Sequence, residues 1–179
     1  MAKRSIALLR GINVGQAKRV AMADLRALFE GLGYTDVSTL LNSGNVVFAG
    51  ARGKAAGVAA KLERAILAEF GFTSRVTVVS GADLERALAG DPLVDVADDP
   101  SKHMLGFLRD AAGLKRLKAL AARDWGPERL ALGPRAVYVW CPKGVLDSAA
   151  MKALAKELGE DWTARNRRTV EKLAELLAG

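Results

Sequence analysis

The chain has 179 residues, of which half are hydrophobic and 26% are charged, a composition typical of a folded globular protein and not of a disordered one. It contains one cysteine, Cys141, and one histidine, His103, which excludes an internal disulfide and a structural zinc site with its roughly four nitrogen or sulfur ligands. The net charge is +7, and residues 1–80, with 11 basic and 5 acidic residues, carry +6 of it.

The beginning of the sequence does not match a signal peptide. Basic residues are followed by an apolar run, Ile6–Leu9, that is shorter than the ~7–15 apolar residues of an export signal. No stretch approaches the ~18 apolar residues of a membrane-spanning helix. We therefore expect a soluble cytoplasmic protein that does not bind membranes.

The first half of the sequence predicts a strand-helix-strand-strand-helix-strand order. Apolar residues recur every three or four positions in the two predicted helices, and Gly33 and Gly71 follow them as stop signals. The turn residues Asn42–Gly44 separate two runs of strand formers and indicate a hairpin. The predicted elements are a strand at Ile6–Arg10, a helix at 21–32, strands at Val37–Leu41 and Asn45–Phe48, a helix at 54–70 and a strand at 74–79.

The second half repeats this order less completely. The predicted elements are a helix at 81–89, an acidic loop at Asp91–Asp99, a strand at His103–Arg109, a helix at 114–123, a hairpin of Glu128–Leu132 and Arg135–Trp140, and helices at 147–158 and 169–178. We therefore predict an α+β fold of two ferredoxin-like (βαββαβ) subdomains packed together, 1–80 and 81–179. The second ends in a C-terminal helix and lacks a clear fourth strand.

The central strands of the first half predict a sheet that is covered on both faces. Ile6–Leu9 and Val46–Phe48 are apolar throughout, whereas a strand with one face in water alternates apolar and polar residues. The second cover is expected to be the other half or, alternatively, a second copy of the chain in a homodimer. Because these strands carry one aromatic residue, Phe48, we expect no RNA binding by base stacking on the sheet.

The predicted topology gathers polar residues at one edge of the first sheet. The end of the first strand lies beside the start of the third, so Arg10 and Asn13 should adjoin Ser43 and Asn45, with Lys18 just before the first helix. Basic side chains, a glycine-containing loop and a helix N-terminus suit an anion. In the alternative interpretation the edge is structural, since Asn, Ser and Gly are common turn residues and Lys18 is then merely solvated.

A second basic segment precedes the last predicted helix. Arg165, Arg167 and Arg168 suit phosphate binding, while cations at a helix start oppose its dipole. Thr163 or Asn166 could cap that helix. We include Arg165 and Asn166 in the candidate ligand-binding set, on the condition that docking of the halves brings them to the first edge.

Several segments together resemble the bacterial domain-of-unknown-function 1697 family. They are Ala7–Gly15, Met22–Leu25, Ser43–Phe48 and Arg165–Asn166, with Thr169, Val170 and Leu173. The resemblance implies two ferredoxin-like subdomains and no established activity. The family usually has Trp where this chain has Arg167, so an aromatic role there is not expected.

The sequence thus predicts binding and leaves catalysis open. We expect a phosphate-bearing ligand, a nucleotide or nucleic acid, at the Arg10–Asn45 edge, with no cofactor and no metal. The alternative is a non-enzymatic interaction module whose turns only hold the two halves together. Cys141 is expected to be a buried inert thiol and His103 a packing or surface residue, so no catalytic residue is assigned.

Overall fold

The structure is a computed structural model that describes residues 3–179. These residues form two four-stranded antiparallel sheets and six α-helices. They divide into two compact units, of which the first runs to Gly81 and includes Leu173–Gly179, and the second covers Ala82–Lys172. Among the described helices, none combines the length and the apolar character that crossing a bilayer requires.

The first unit contains one sheet with strand order β2-β3-β1-β4. Its elements are β1 (Arg4–Leu9), α1 (Met22–Gly31), β2 (Thr35–Leu40), β3 (Asn45–Ala49), α2 (Ala55–Phe70) and β4 (Val76–Ser80). The prediction that the first and third strands are adjacent and antiparallel is confirmed, with Leu8 opposite Asn45. The predicted stop after α2 is also confirmed, because Gly71 caps the helix in the left-handed conformation at φ 74°.

The core of the first unit is built around three aromatic rings. Phe29, Tyr34 and Phe48 lie with ring centroids 4.8–6.0 Å apart, in tilted and edge-on contacts. In β1, every residue of Ile6–Leu9 is buried. Since successive side chains of a strand point to opposite faces, both faces of this strand are covered, as its unbroken apolar run predicts.

The second unit contains a sheet with strand order β6-β7-β5-β8. Its elements are α3 (Gly81–Ala89), β5 (His103–Leu108), a 3₁₀ helix (Ala111–Leu117), α4 (Lys118–Ala121), β6 (Arg129–Leu132), β7 (Val137–Trp140), α5 (Ala149–Leu158) and β8 (Trp162–Asn166). The last helix, α6 (Arg167–Ala178), begins in this unit, and its residues from Leu173 onward belong to the first. Ser148 caps α5 by accepting a hydrogen bond from the Met151 N–H at 3.0 Å.

The prediction that the second half lacks a clear fourth strand is wrong. β8 pairs antiparallel with β5, with Arg165 opposite Leu105. It is an edge strand of five residues, and only Trp162 and Thr163 are buried in it. Edge strands tolerate charged and polar residues because one side of their backbone is not paired. The sequence therefore lacks the apolar run by which the other strands are recognised.

The helix predicted at 114–123 is also different in the structure. The Asp110 carboxylate accepts a hydrogen bond from the Ala112 N–H at 3.0 Å, so the turn begins several residues earlier than predicted. Gly113 falls within this turn, and glycine is a poor former of α-helix. The segment is consequently a 3₁₀ helix that ends in the single α-helical turn of α4.

A buried ion cluster joins distant parts of the second unit. The Asp91 carboxylate pairs with Arg167, accepts a hydrogen bond from the Leu93 N–H at 2.9 Å and lies 3.1 Å from His103 Nε2. The side chains of Asp91 and His103 are fully buried. Burial alone would raise the pKa of Asp91, but the neighbouring His103, the Leu93 N–H and the Arg167 guanidinium outweigh it, and the pKa is lowered.

We predict that Asp91→Asn destabilises the protein by roughly 3 kcal/mol at neutral pH, because Arg167 loses its buried carboxylate partner and keeps only the half-exposed Glu171, 2.8 Å from Arg167 Nε. A carboxyl whose pKa is lowered by folding stabilises above its unfolded value of about 3.9 and loses that contribution as the pH falls through the folded pKa. When urea unfolding is measured from pH 7 to pH 3, the free energy of unfolding should therefore fall less in Asp91→Asn than in the wild-type protein. The control is Asp95→Asn, an exposed carboxylate in the same loop, and equal losses in both variants would contradict the prediction.

Candidate functional site

Three segments of the first unit meet at one end of its sheet. The Arg10 N–H donates to the Arg75 carbonyl and the Arg10 carbonyl accepts from Ser74 Oγ, both at 2.9 Å. The Leu9 N–H donates to the Gly44 carbonyl at 2.9 Å. These bonds join the end of β1 to the turn before β3 and to the start of β4. We call the three segments the loop edge: residues 10–20, 41–45 and 71–75.

Asn13 organises the longest loop of this edge. Its Nδ2 donates to the carbonyls of Val20 at 2.9 Å and Asn42 at 2.8 Å, and its Oδ1 accepts from the Val20 N–H at 2.8 Å. Its backbone N–H donates to the Lys18 carbonyl at 3.0 Å. Asn13 therefore closes the loop on itself and fastens it to the hairpin turn, and its φ of 53° is one that asparagine tolerates well.

Asn45 stabilises the neighbouring hairpin turn through hydrogen bonds from its buried side chain. It is fully buried, and its Nδ2 donates to the Leu40 carbonyl at 2.8 Å and to Ser43 Oγ at 2.9 Å. Gly44 lies against the end of β1, since a Cβ at this position would stand 2.7 Å from Leu9 Cβ. The Asn-Ser-Gly-Asn sequence thus makes a turn with internal partners, from which Ser43 is exposed to solvent.

The loop edge is positively charged. Its three segments contain four basic residues and no acidic residue. Lys18 is exposed and donates from Nζ to the Thr73 carbonyl at 2.8 Å, which directs its ammonium group across the edge. A carboxylate lies nearby in Glu63, 3.5 Å from Arg75 Nη1. The basic residues of the edge are Arg10, Lys18, Arg19 and Arg75.

Two apolar side chains are exposed among these charges. Val14 is 72% exposed and Leu41 is 54% exposed. Leu41 also adopts a φ of 58°, a left-handed conformation that costs a residue with a bulky side chain roughly 1–3 kcal/mol. The hairpin thus keeps a strained leucine in solvent at the same place where the first loop exposes a valine.

The candidate residues predicted from sequence fall into two groups. Arg10, Asn13, Lys18, Ser43 and Asn45 all belong to the loop edge, as the predicted topology requires. Arg165 and Asn166 belong to the second unit. Asn166 Oδ1 accepts from the Thr169 N–H at 2.9 Å, so the prediction that it could cap the last helix is confirmed, and Arg165 Nη1 donates to Thr163 Oγ1 at 2.8 Å.

A cavity that the sequence analysis does not predict lies at the other end of the first sheet. We call it the Tyr34 cavity; its volume is about 470 Å³. The signal that could have revealed it is the segment Gly50–Lys54, in which two glycines and two cations connect a strand to a helix. The lining residues are Leu32, Gly33, Tyr34, Thr35, Gly50, Arg52, Gly57, Val58 and Lys61.

Neither a metal centre nor an activated nucleophile is evident in the part of the chain that the structure describes. Residues 3–179 contain no group of three or more His, Cys, Asp or Glu side chains able to hold a metal ion. Cys141 is buried, and burial raises the pKa of its thiol, which disfavours the reactive thiolate.

We predict that Asn13→Ala destabilises the protein by about 2–4 kcal/mol, because three side-chain hydrogen bonds are lost and alanine must adopt a positive φ. Asn42→Ala is the matched control: the bond from Asn13 reaches its main-chain carbonyl, which the substitution retains, so its effect should stay within ~0.5 kcal/mol. Urea denaturation curves measure both, and similar midpoints for the two variants would contradict this role of Asn13.

Comparison with known proteins identifies related chains. A family model described as a protein of unknown function (DUF1697) matches residues 2–138. The structure of conserved bacterial protein SP0830 from Streptococcus pneumoniae is similar, with a TM-score of 0.80 and 26% sequence identity over 99% of each chain. No curated protein matches the sequence.

Proposed function

Because the chain belongs to the DUF1697 family, whose members have no assigned function, we propose from the geometry of its own loop edge that it binds a phosphate-bearing ligand, a nucleotide or nucleic acid. The binding residues are Arg10, Lys18 and Arg19, with Ser43 as a hydroxyl donor. Asn13 and Asn45 act indirectly, by holding the loops in shape. Arg165 and Asn166 remain candidates on the second unit.

The observation that carries this proposal is the concentration of positive charge on one set of joined loops. Arg75 is paired with Glu63, and the other three cations, Arg10, Lys18 and Arg19, favour phosphate, which arginine and lysine bind through charge-assisted hydrogen bonds. Lys18 and Arg19 are exposed, so the electrostatic attraction is accessible to a ligand and will weaken with salt.

The proposed contacts are to phosphates and do not read bases by stacking on the sheet. Phe48, the aromatic residue of the central strands, is fully buried against Phe29 and Tyr34. A nucleic acid at the loop edge would therefore meet cations and the apolar side chains of Val14 and Leu41. Phosphate contacts position a nucleic acid but carry no sequence information, so we expect binding with little sequence preference.

The second candidate function is a protein-interaction module. Val14 and Leu41 favour it, since exposed apolar side chains on a fixed loop can enter a partner's surface.

We also propose that both sheets are ferredoxin-like and that residues 1–80 and 81–179 are the corresponding subdomains. The antiparallel strand orders β2-β3-β1-β4 and β6-β7-β5-β8 support this class.

We predict that Lys18→Ala and Arg10→Ala each weaken binding of a mixed-sequence single-stranded oligonucleotide. If each cation neutralises one phosphate, the slope of the logarithm of affinity against the logarithm of salt concentration falls by roughly 0.7 per variant. Fluorescence anisotropy at several salt concentrations measures this slope. Thermal shifts with a panel of nucleotides extend the test, since a ligand at 100 times its Kd stabilises the folded protein by about 2.7 kcal/mol.

Arg64→Ala is the control, because it removes an exposed positive charge from α2 outside the loop edge. It should leave both affinity and slope unchanged. The stability of Arg10→Ala is measured in parallel: a loss within ~0.5 kcal/mol fits a binding residue, whereas a loss of roughly 3–5 kcal/mol would make Arg10 a structural tie. No oligonucleotide or nucleotide binding by the wild-type protein would leave the interaction module as the better account.

A further inference from the structure

The Tyr34 cavity and the loop edge lie at opposite ends of the first sheet. Thr35, which lines the cavity, pairs with Ala49 at the last position of β3, whereas Leu40 pairs with Asn45 at its first position. At ~3.3 Å per residue, the four steps of β3 separate the two ends by about 13 Å. A ligand in the cavity would therefore use side chains that the loop edge does not contain.

The lining of the cavity is basic. Arg52 and Lys61 are both exposed, and the nine lining residues include no carboxylate. Lys61 Nζ lies 5.1 Å from the centroid of the Tyr34 ring, above its face, and 3.3 Å from the Leu32 carbonyl oxygen. The ring and the carbonyl thus hold the ammonium group beside the cavity, where it can neutralise an anion.

Tyr34 supplies a second kind of polar group. Its side chain lines the cavity, and its hydroxyl oxygen is not among the solvent-inaccessible side-chain atoms that lack a hydrogen-bond partner in residues 3–179. The hydroxyl is therefore accessible to a ligand in the cavity. Burial raises the pKa of this phenol, so it stays protonated and can donate to an acceptor oxygen. Contacts with Phe29 and Phe48 fix the ring in place.

The backbone around the cavity leaves room for a ligand. Gly33 and Gly57 line it, and a Cβ added at either would meet no atom within 4 Å. Gly57 belongs to the first turn of α2, which contains no acidic residue, and the N-cap residue Lys54 makes no side-chain capping bond. The positive end of this 16-residue helix adds to the attraction exerted by Arg52 and Lys61.

We propose that the Tyr34 cavity binds a small organic phosphate of about nucleotide size, with Arg52 and Lys61 on the phosphate and the Tyr34 hydroxyl donating to one of its oxygens. The volume of about 470 Å³ lies within the ~300–1,000 Å³ typical of small-molecule sites. This site is separate from the loop edge, for which phosphate binding is also proposed. Both sites would give the first unit a preference for anions.

The test is calorimetric titration of the full chain with adenosine monophosphate, followed by three single variants. Arg52→Ala and Lys61→Met should each raise the Kd about tenfold or more, as expected for loss of a charge-assisted hydrogen bond. Tyr34→Phe retains the ring and its packing, and should raise the Kd roughly fivefold. Arg64→Ala, which removes a charge from the same helix outside the cavity, should leave the Kd unchanged.

Two comparisons separate this proposal from the loop-edge function. The double variant Arg10→Ala/Lys18→Ala should bind adenosine monophosphate with the wild-type Kd while its oligonucleotide binding falls. Inorganic phosphate should bind at least tenfold more weakly than adenosine monophosphate, because it leaves most of the cavity unfilled. The proposal is overturned by absent binding, by equal loss in Arg64→Ala, by loss only in the Arg10→Ala/Lys18→Ala variant, or by equal affinity for inorganic phosphate.

Discussion

The antiparallel pairing of β1 with β3 brings the first loop and the hairpin turn of the loop edge together. With Leu8 opposite Asn45 and Arg4 opposite Ala49, the end of β1 must meet the turn before β3. The Arg10–Val20 loop and the Asn42–Gly44 turn are therefore forced together at one end of the sheet. A shift of one residue in this register would turn the buried side chains of β1 to the opposite face, so the core and the loop edge depend on the same pairing.

Within the loop edge, the residues that fix the backbone differ from those proposed to contact a ligand. The amides of Asn13 and Asn45 are bound to backbone carbonyls and to Ser43, and they stabilise a loop and a tight turn. The exposed cations Lys18 and Arg19 belong to the loop that Asn13 fixes. A framework of this kind lowers the entropy that binding must overcome, because the loop is ordered before the ligand arrives.

The loop edge can be predicted from the sequence, because the signals that indicate it lie within a few neighbouring residues or follow from the order of the strands. The Asn-Ser-Gly-Asn turn, the stop at Gly71 and the apolar run of β1 can each be read from a few neighbouring residues. β8 could not be recognised in this way, since its strand character comes from pairing with β5 and its own residues are largely polar. The buried partner of Arg167 is Asp91, 76 residues away, and no local pattern links two such positions. The Tyr34 cavity could not be recognised for the same reason, because the loop between α1 and β2, the loop between β3 and α2, and α2 itself each contribute part of its lining.

Amide chemical-shift mapping can locate the proposed anion-binding surface at the loop edge. A single-stranded oligonucleotide would be titrated at low salt into the ¹⁵N-labelled full chain while the backbone amide signals are followed. If the loop edge binds the phosphates, we expect saturable shifts concentrated in residues 10–20 and 41–45 and reversed by added salt. Saturation of binding with the signals of these two segments unmoved would contradict it.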